Sequence, residues 1–317
     1  MFKDSLQIFI ITYNRAERLE QTLAQFLEGP FSGCDIFILD NNSTDATSKV
    51  ILQFAQAHAN ITSIRHSINI GFCANFLRCF ELASKRYMWI VGDDDNWNFD
   101  SACEIASALE SGTKDVIVIG GPGIDDGFYG REARLGDLIG EGFKAFHIMG
   151  FISAKIFSRR SVVPDFCMQA YRSGYFGYIE NRLIEGWVEA NVEVKIVSKS
   201  LVERNHETVF ASYLVWLNSW VGGIDAIRAK KWRRIALLDP FNGQFGFTKA
   251  FALGVLHGLV KRNERFSLYV SSILCRIGIP LCFLCILLLP INIPIILWGA
   301  FRNLRKKRGR KAAELFE

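Results

Sequence analysis

Tyr87-Met88-Trp89-Ile90-Val91-Gly92-Asp93-Asp94-Asp95-Asn96-Trp97 is an apolar run that stops at three consecutive carboxylates. Five bulky residues in a row, aromatic and β-branched among them, predict a strand buried on both faces. Open α/β sheets place their ligands at the carboxyl ends of such strands. Three adjacent aspartates repel one another, so they must be solvated, paired with basic groups or neutralised by a metal. Mg2+ and Mn2+ prefer carboxylate oxygens, and Mg2+ usually takes one or two of them together with substrate phosphates. The competing reading is an acidic turn before the helical pattern from Ser101 to Ser111, since acids also suit helix starts.

Working outward, the same alternation repeats. Leu6 to Ile11 reads as a buried strand, Ala16 to Leu27 as a helix with Leu19, Leu23, Phe26 and Leu27 on one face, and Asp35 to Leu39 as the next strand. Asn42-Ser43-Thr44-Asp45 caps a helix through Val50, Ile51 and Phe54, and the cycle continues through Ile61 to Arg65, a helix near Ala74 to Ser84, and a strand Asp115 to Ile119. This predicts an α/β fold, a mostly parallel sheet with helices on both faces. Three of these strands end in polar residues: Thr12-Tyr13-Asn14-Arg15, Asp40-Asn41-Asn42, and Gly92 with the aspartates. Polar strand ends that converge on one crevice suit a nucleotide. The first strand is followed by neither Gly-x-Gly-x-x-Gly nor a Walker-type loop, which disfavours a dinucleotide or ATP cradle.

Four ordered motifs, Thr12-Tyr13-Asn14-Arg15, Leu39-Asp40-Asn41-Asn42-Ser43-Thr44-Asp45, Asn69-Ile70-Gly71 with Asn75, and Gly92-Asp93-Asp94-Asp95, have the spacing of family 2 glycosyltransferases of the GT-A fold, which the chain resembles. The resemblance is strong over residues 5–120 and looser to about residue 210. It implies an inverting transfer from a nucleotide-diphosphate sugar, with Thr12 and Tyr13 lining the base pocket and Asp40 accepting a hydrogen bond from the base. It also implies that Asp94 faces the ribose and that Asp95 holds Mn2+ or Mg2+ against the diphosphate. Asp93 could replace either neighbour if the register shifts by one. Arg15, Asn69, Gly71 and Asn75 would shape the ribose and phosphate side. Turn or cap chemistry is the competing reading for each of these residues, and it competes least for Asp40 and Asp95.

In the family an acidic pair at a helix start often carries the general base. This chain has Tyr178-Ile179-Glu180-Asn181-Arg182-Leu183, with an amide where the aspartate would stand. Glu180 becomes the candidate base, or else an exposed helical acid that pairs locally with Arg182 or Lys155, and Asp125 and Asp126 are the fallback. Late in the domain, Arg204 and His206 could complete the metal and phosphate site. Gly121 to Gly142, rich in glycine and charge, reads as a long mobile loop of the kind that forms lids. The resulting division is a GT-A domain over residues 1–210, with a nucleotide half over 1–120 and an acceptor half over 121–210. A helical region over 211–265 and a membrane-associated segment over 266–317 follow.

The chain has 317 residues, of which 50% are hydrophobic and 22% charged, and a formal net charge of +5. Seven cations crowd the tail (Arg302, Arg305, Lys306, Lys307, Arg308, Arg310, Lys311), so the basicity belongs to the tail and gives no ground for nucleic-acid binding by the body. Ile277 to Ala300 is apolar, uncharged and broken by Pro280, Pro290 and Pro294. It is long enough for a single crossing, for which about 20 residues suffice, or for a re-entrant hairpin or interfacial helix. Trp216, Trp220 and Trp232 among arginines and lysines suit a membrane headgroup layer or ordinary helix packing. Positive residues stay on the cytoplasmic side, which predicts a protein at the cytoplasmic face of the plasma membrane. Leu6 to Ile11 is too short for a signal peptide, and the one Cys-x-x-Cys, Cys282 and Cys285, lacks neighbouring ligands, so reduced structural cysteines are expected. The expected acceptor is a glycan, polyprenyl-linked in surface-polysaccharide synthesis. Two alternatives remain open: a nucleotide-sugar-binding protein that lost its base, for which Asn181 is the motive, and a nucleotidyltransferase.

Overall fold

A computed structural model describes residues 3–121, 124–173 and 176–203, together with Ile227 and Trp232. The chain divides into two compact units, Met1–Ala211 with Asn218–Gln244, and Ser212–Leu217 with Phe245–Glu317. Expectations for Arg204, His206, the helical region and the apolar segment fall outside the described residues.

The first half follows the predicted alternation: β1 (Leu6–Thr12), α1 (Ala16–Glu28), β2 (Asp35–Asp40), α2 (Thr47–Ala57), β3 (Ile61–Arg65), α3 (Phe72–Leu82), β4 (Tyr87–Gly92), a short β5 (Asn96–Trp97) and α4 (Ala102–Ser111). Then come β6 (Val116–Val118), β7 (Glu132–Arg134), α5 (Leu135–Gly140), α6 (Ala145–Ile148), β8 (Lys155–Ser158), α7 (Phe166–Ser173), α8 (Phe176–Glu189), β9 (Glu193–Ile196) and β10 (Val202–Glu203). The main sheet runs β3-β2-β1-β4-β8-β6-β9-β7. Strands β1 to β4 are parallel, as is β6 to β9, while β8 lies antiparallel between β4 and β6 and β7 antiparallel to β9. The sheet is therefore mixed, parallel where the sequence alternation was clearest.

Side chains along β1 alternate between two cores, because successive residues of a strand point to opposite faces. Leu6, Ile8 and Ile10 pack with Leu19, Leu23 and Phe26 of α1 and Ile105 and Leu109 of α4. Phe9 and Ile11 pack on the other face with Phe76 and Leu77 of α3 and Leu183, Ile184 and Trp187 of α8. Burying each of these side chains contributes about 1.5–3 kcal/mol. Trp89 of β4 sits at the centre of an aromatic group with Phe26, Phe31 and Trp97, ring centroids 5.2–5.3 Å from its own. That group fixes β5 immediately after the aspartates.

The expected mobile loop is corrected. Among its described residues, β7 joins the sheet, α5 follows, and Phe128, Leu135, Leu138 and Phe143 are all in the core. The glycines between them obscured a widely spaced apolar pattern; Gly130 and Gly142 serve turns at φ 77° and 103°. Strand β8 is also shorter than the apolar run from Phe151 suggests, because residues 152–154 form a 3-10 turn.

Candidate active site

In the parallel register Thr12 stands opposite Asp40 and Ile11 opposite Gly92, so the three polar strand ends lie side by side. This is the point where β2 leaves β1 on one side and β4 leaves it on the other, the switch point at which open sheets bind ligands. The loops after β1 and β2 are laced together. Asn14 and Asn42 adopt left-handed conformations at φ 53° and 65°. The Asn14 N–H bonds the Ser43 hydroxyl at 2.9 Å, its side-chain carbonyl accepts the Thr44 N–H at 2.7 Å, and the Arg15 N–H bonds the Thr47 hydroxyl at 3.0 Å.

Each of the three aspartates has its own partner. Asp93 is 5% exposed and accepts the Thr12 hydroxyl at 2.6 Å; burial pushes its pKa up to about 7, against the opposing pull of Thr12 and Arg15. Arg15 bonds Asp94 and lies 3.6 Å from Asp93, so one guanidinium sits between two carboxylates that would otherwise repel. Asp95, 9% exposed, accepts the Ser153 hydroxyl at 2.6 Å. Gly92 leaves little room here: a Cβ on it would lie 3.1 Å from the Asp95 carboxylate and 3.3 Å from that of Asp94, so both side chains would have to give by a few tenths of an ångström.

Among the described residues no three His, Cys, Asp or Glu side chains surround one point. A hard divalent ion needs only one or two carboxylates when a diphosphate supplies further oxygens, and Asp94 and Asp95 are of that type. The donor set therefore fits such an ion.

Asp40 is 1% exposed and works within its own loop: it accepts the Ser43 N–H at 2.8 Å and the Ser48 hydroxyl at 2.9 Å, with Arg65 at 3.7 Å. These bonds hold the carboxylate still within its loop, and at this exposure it is enclosed rather than presented to a base. Asn69 accepts the Asn41 side-chain amide and the Gly71 N–H, both at 2.9 Å, and Gly71 starts α3 at φ 82°. Asn75 is turned inward, bonding the Leu39 carbonyl at 3.1 Å and His66 at 2.8 Å. It braces the end of β2 and is 3% exposed. Tyr13 is 43% exposed, an open aromatic face at the strand end.

Glu180 has a different setting from the one expected of a base. It is 2% exposed, in the core against β8, with Lys155 Nζ 2.9 Å away. Burial raises its pKa and Lys155 opposes the rise. The next turn of α8 carries a second buried pair, Arg182 with Glu185. In this position the Glu180 carboxylate is enclosed rather than presented to an acceptor. Asp125 and Asp126 are exposed, Asp125 lying 3.4 Å from Lys144. Ser153 was not foreseen; its only signal was a hydroxyl inside an apolar run, with no recognisable spacing. Lys155 is one of the two partners, with Arg182, that the sequence offers Glu180, and it is the one the fold brings to it. The five described cysteines, Cys34, Cys73, Cys79, Cys103 and Cys167, are free thiols.

Residues 7–176, more than half of the chain, match the model of glycosyl transferase family 2. The chain belongs to that family. Among curated proteins it is 38% identical over 106 residues to abequosyltransferase RfbV of Salmonella typhimurium, a stretch covering 32% of each chain. The alignment thus spans about a third of that relative's length. Among solved structures, the fold is similar to S. aureus TarS 1-349 in complex with UDP-GlcNAc, with TM-score 0.54, 14% identity, and 83% of this chain and 82% of that one covered. It is also similar to the mannosyltransferase PcManGT from Pyrobaculum calidifontis in complex with GDP-Man and Mn2+, with TM-score 0.52, 12% identity, and 86% and 80% covered. The mixed sheet with its family 2 domain is thus a GT-A fold, as the motifs implied.

Proposed function

We propose that the protein transfers a sugar from a nucleotide-diphosphate sugar to a hydroxyl of a glycan or polyprenyl-linked acceptor in surface-polysaccharide synthesis. The observation that carries this reading is the meeting of Thr12, Asp40 and the Asp93 to Asp95 cluster at one sheet edge, with Arg15 among them. Support for the donor class comes from the UDP-sugar and GDP-sugar complexes of the two structural neighbours, and for the pathway from the abequosyltransferase. The reaction is a single displacement with inversion. The acceptor oxygen bonds to the anomeric carbon, the bond to the diphosphate breaks, and the acceptor proton passes to a carboxylate. Asp94 and Asp95 would hold Mn2+ or Mg2+, which when bound offsets charge on the diphosphate. Arg15, beside Asp93 and Asp94, would be the cation to meet the phosphates once the ion is there. The apolar run at 277–300 and the basic tail would keep the chain at the cytoplasmic face of the membrane.

Two experiments test the two parts. Thermal unfolding of the full chain is followed with UDP, dTDP, GDP and CDP sugars, with and without Mn2+; one nucleotide class should raise Tm, and more so with Mn2+, because a ligand of the native state stabilises it. No shift with any donor overturns the transferase reading. Flotation with anionic vesicles should in turn be lost when the chain is ended before residue 266, and equal flotation of the two forms overturns the membrane assignment.

A further inference from the structure

We propose that Ser153 is a positioning residue for this reaction, a hydroxyl from the second half of the domain that fixes the Asp95 carboxylate for the cation of the donor complex. Ser153 is fully enclosed, in the 3-10 turn 152–154 just before β8. A serine hydroxyl has one hydrogen to give and lone pairs to accept with. The hydrogen goes to Asp95 Oδ2 at 2.6 Å, within the short range of a bond to an ionised carboxylate, and a lone pair takes the Gly92 N–H at 2.9 Å. The turn itself is pinned from two sides. The Ser153 carbonyl accepts the Trp89 indole N–H at 3.1 Å, and the Ala154 carbonyl accepts the Ile119 N–H at 2.8 Å. The turn therefore cannot shift without breaking its bonds to β4 and to the end of β6.

A carboxylate that binds a cation is usually oriented by a hydrogen bond to its other side, and losing that partner typically costs about 10–100-fold in metal affinity. The inference rests on the reading of Asp95 as the residue that meets the donor's divalent ion. Mn2+ affinity is measured by the electron paramagnetic resonance signal of free Mn2+, on the full chain in the presence of UDP and, in parallel, GDP. The set is the parent, Ser153→Ala, Asp95→Asn and the double variant. Ser153→Ala should bind Mn2+ about 10–100-fold more weakly, while in the Asp95→Asn background the same change should cost nothing further, because the serine acts through Asp95. A serine that merely supports the fold would lower Tm and leave Mn2+ affinity alone. Undiminished affinity in Ser153→Ala, or a double variant that loses the sum of the two single effects, overturns the positioning role. A parent chain that binds no Mn2+ with either nucleotide overturns both this role and the metal reading beneath it, so the two failures are distinguishable. If Ser153→Ala does not fold, Ser153→Cys carries the same test, since it fills the space with a much weaker donor.

Discussion

Strands β1 to β4 are parallel neighbours, and β1, β2 and β4 each deliver a polar motif to the same edge; in the second half of the domain β8 runs against its neighbours between β4 and β6, and β7 is added at the far margin. The first region carries its chemistry in consecutive residues, such as Asp40 with Ser43 or Asp93 to Asp95. The second carries its polar groups singly and buried: Ser153 against Asp95, and Lys155 against Glu180. The difference is one of range. The motifs of the first half gather at one sheet edge, whereas the buried polar groups of the second half each take a single distant partner.

The largest effect should come from the donor side. Asp95→Asn is expected to lower turnover at saturating donor by about 10³-fold, since loss of several kcal/mol of charge stabilisation at 1.36 kcal/mol per decade gives that order. Its unfolding temperature should change little. Undiminished turnover would remove the aspartates from the reaction and with them the contrast between the halves.

Glu180→Gln sharpens the contrast from the other side. If the pair with Lys155 is structural, the variant leaves a buried lysine unpaired and loses about 3–5 kcal/mol in denaturant unfolding, with turnover per folded molecule and donor affinity close to the parent's. A fall of about 10²–10⁴-fold in turnover at unchanged stability would instead make Glu180 the base. Turnover of Asp125→Asn and Asp126→Asn, measured in the same series, locates the proton acceptor in the exposed segment if either falls by that factor.

The smallest effect concerns the seam between the regions. Burial raises the pKa of Glu104 on α4, but the Ser198 hydroxyl and N–H and Lys195, next to and on β9, outweigh it and leave the value lowered. A depressed folded pKa means that the stabilisation is present above the unfolded value of about 4.3 and is lost as pH falls through the lower folded one. Glu104→Gln should therefore cost less than about 1 kcal/mol at pH 7 and nothing at pH 2, by urea unfolding at the two pH values. An equal loss at both would mean that packing, not charge, joins α4 to β9.

The sequence by itself determined the parallel half of the sheet, the helices α1 and α4 to within about two residues of their ends, and the set of strand-end motifs at one sheet edge. These follow from period, capping and composition within a dozen residues. Only the tertiary structure decided that Asn75 braces β2, that Glu180 is enclosed with Lys155, and that the apolar residues between Phe128 and Met149 pack into the core. The same holds for Ser153. A buried polar residue is chosen by the group it must satisfy, and that group lies 58 positions away for Ser153 and Asp95. Such a partner leaves no periodicity in the chain and becomes visible only when the strands are brought together.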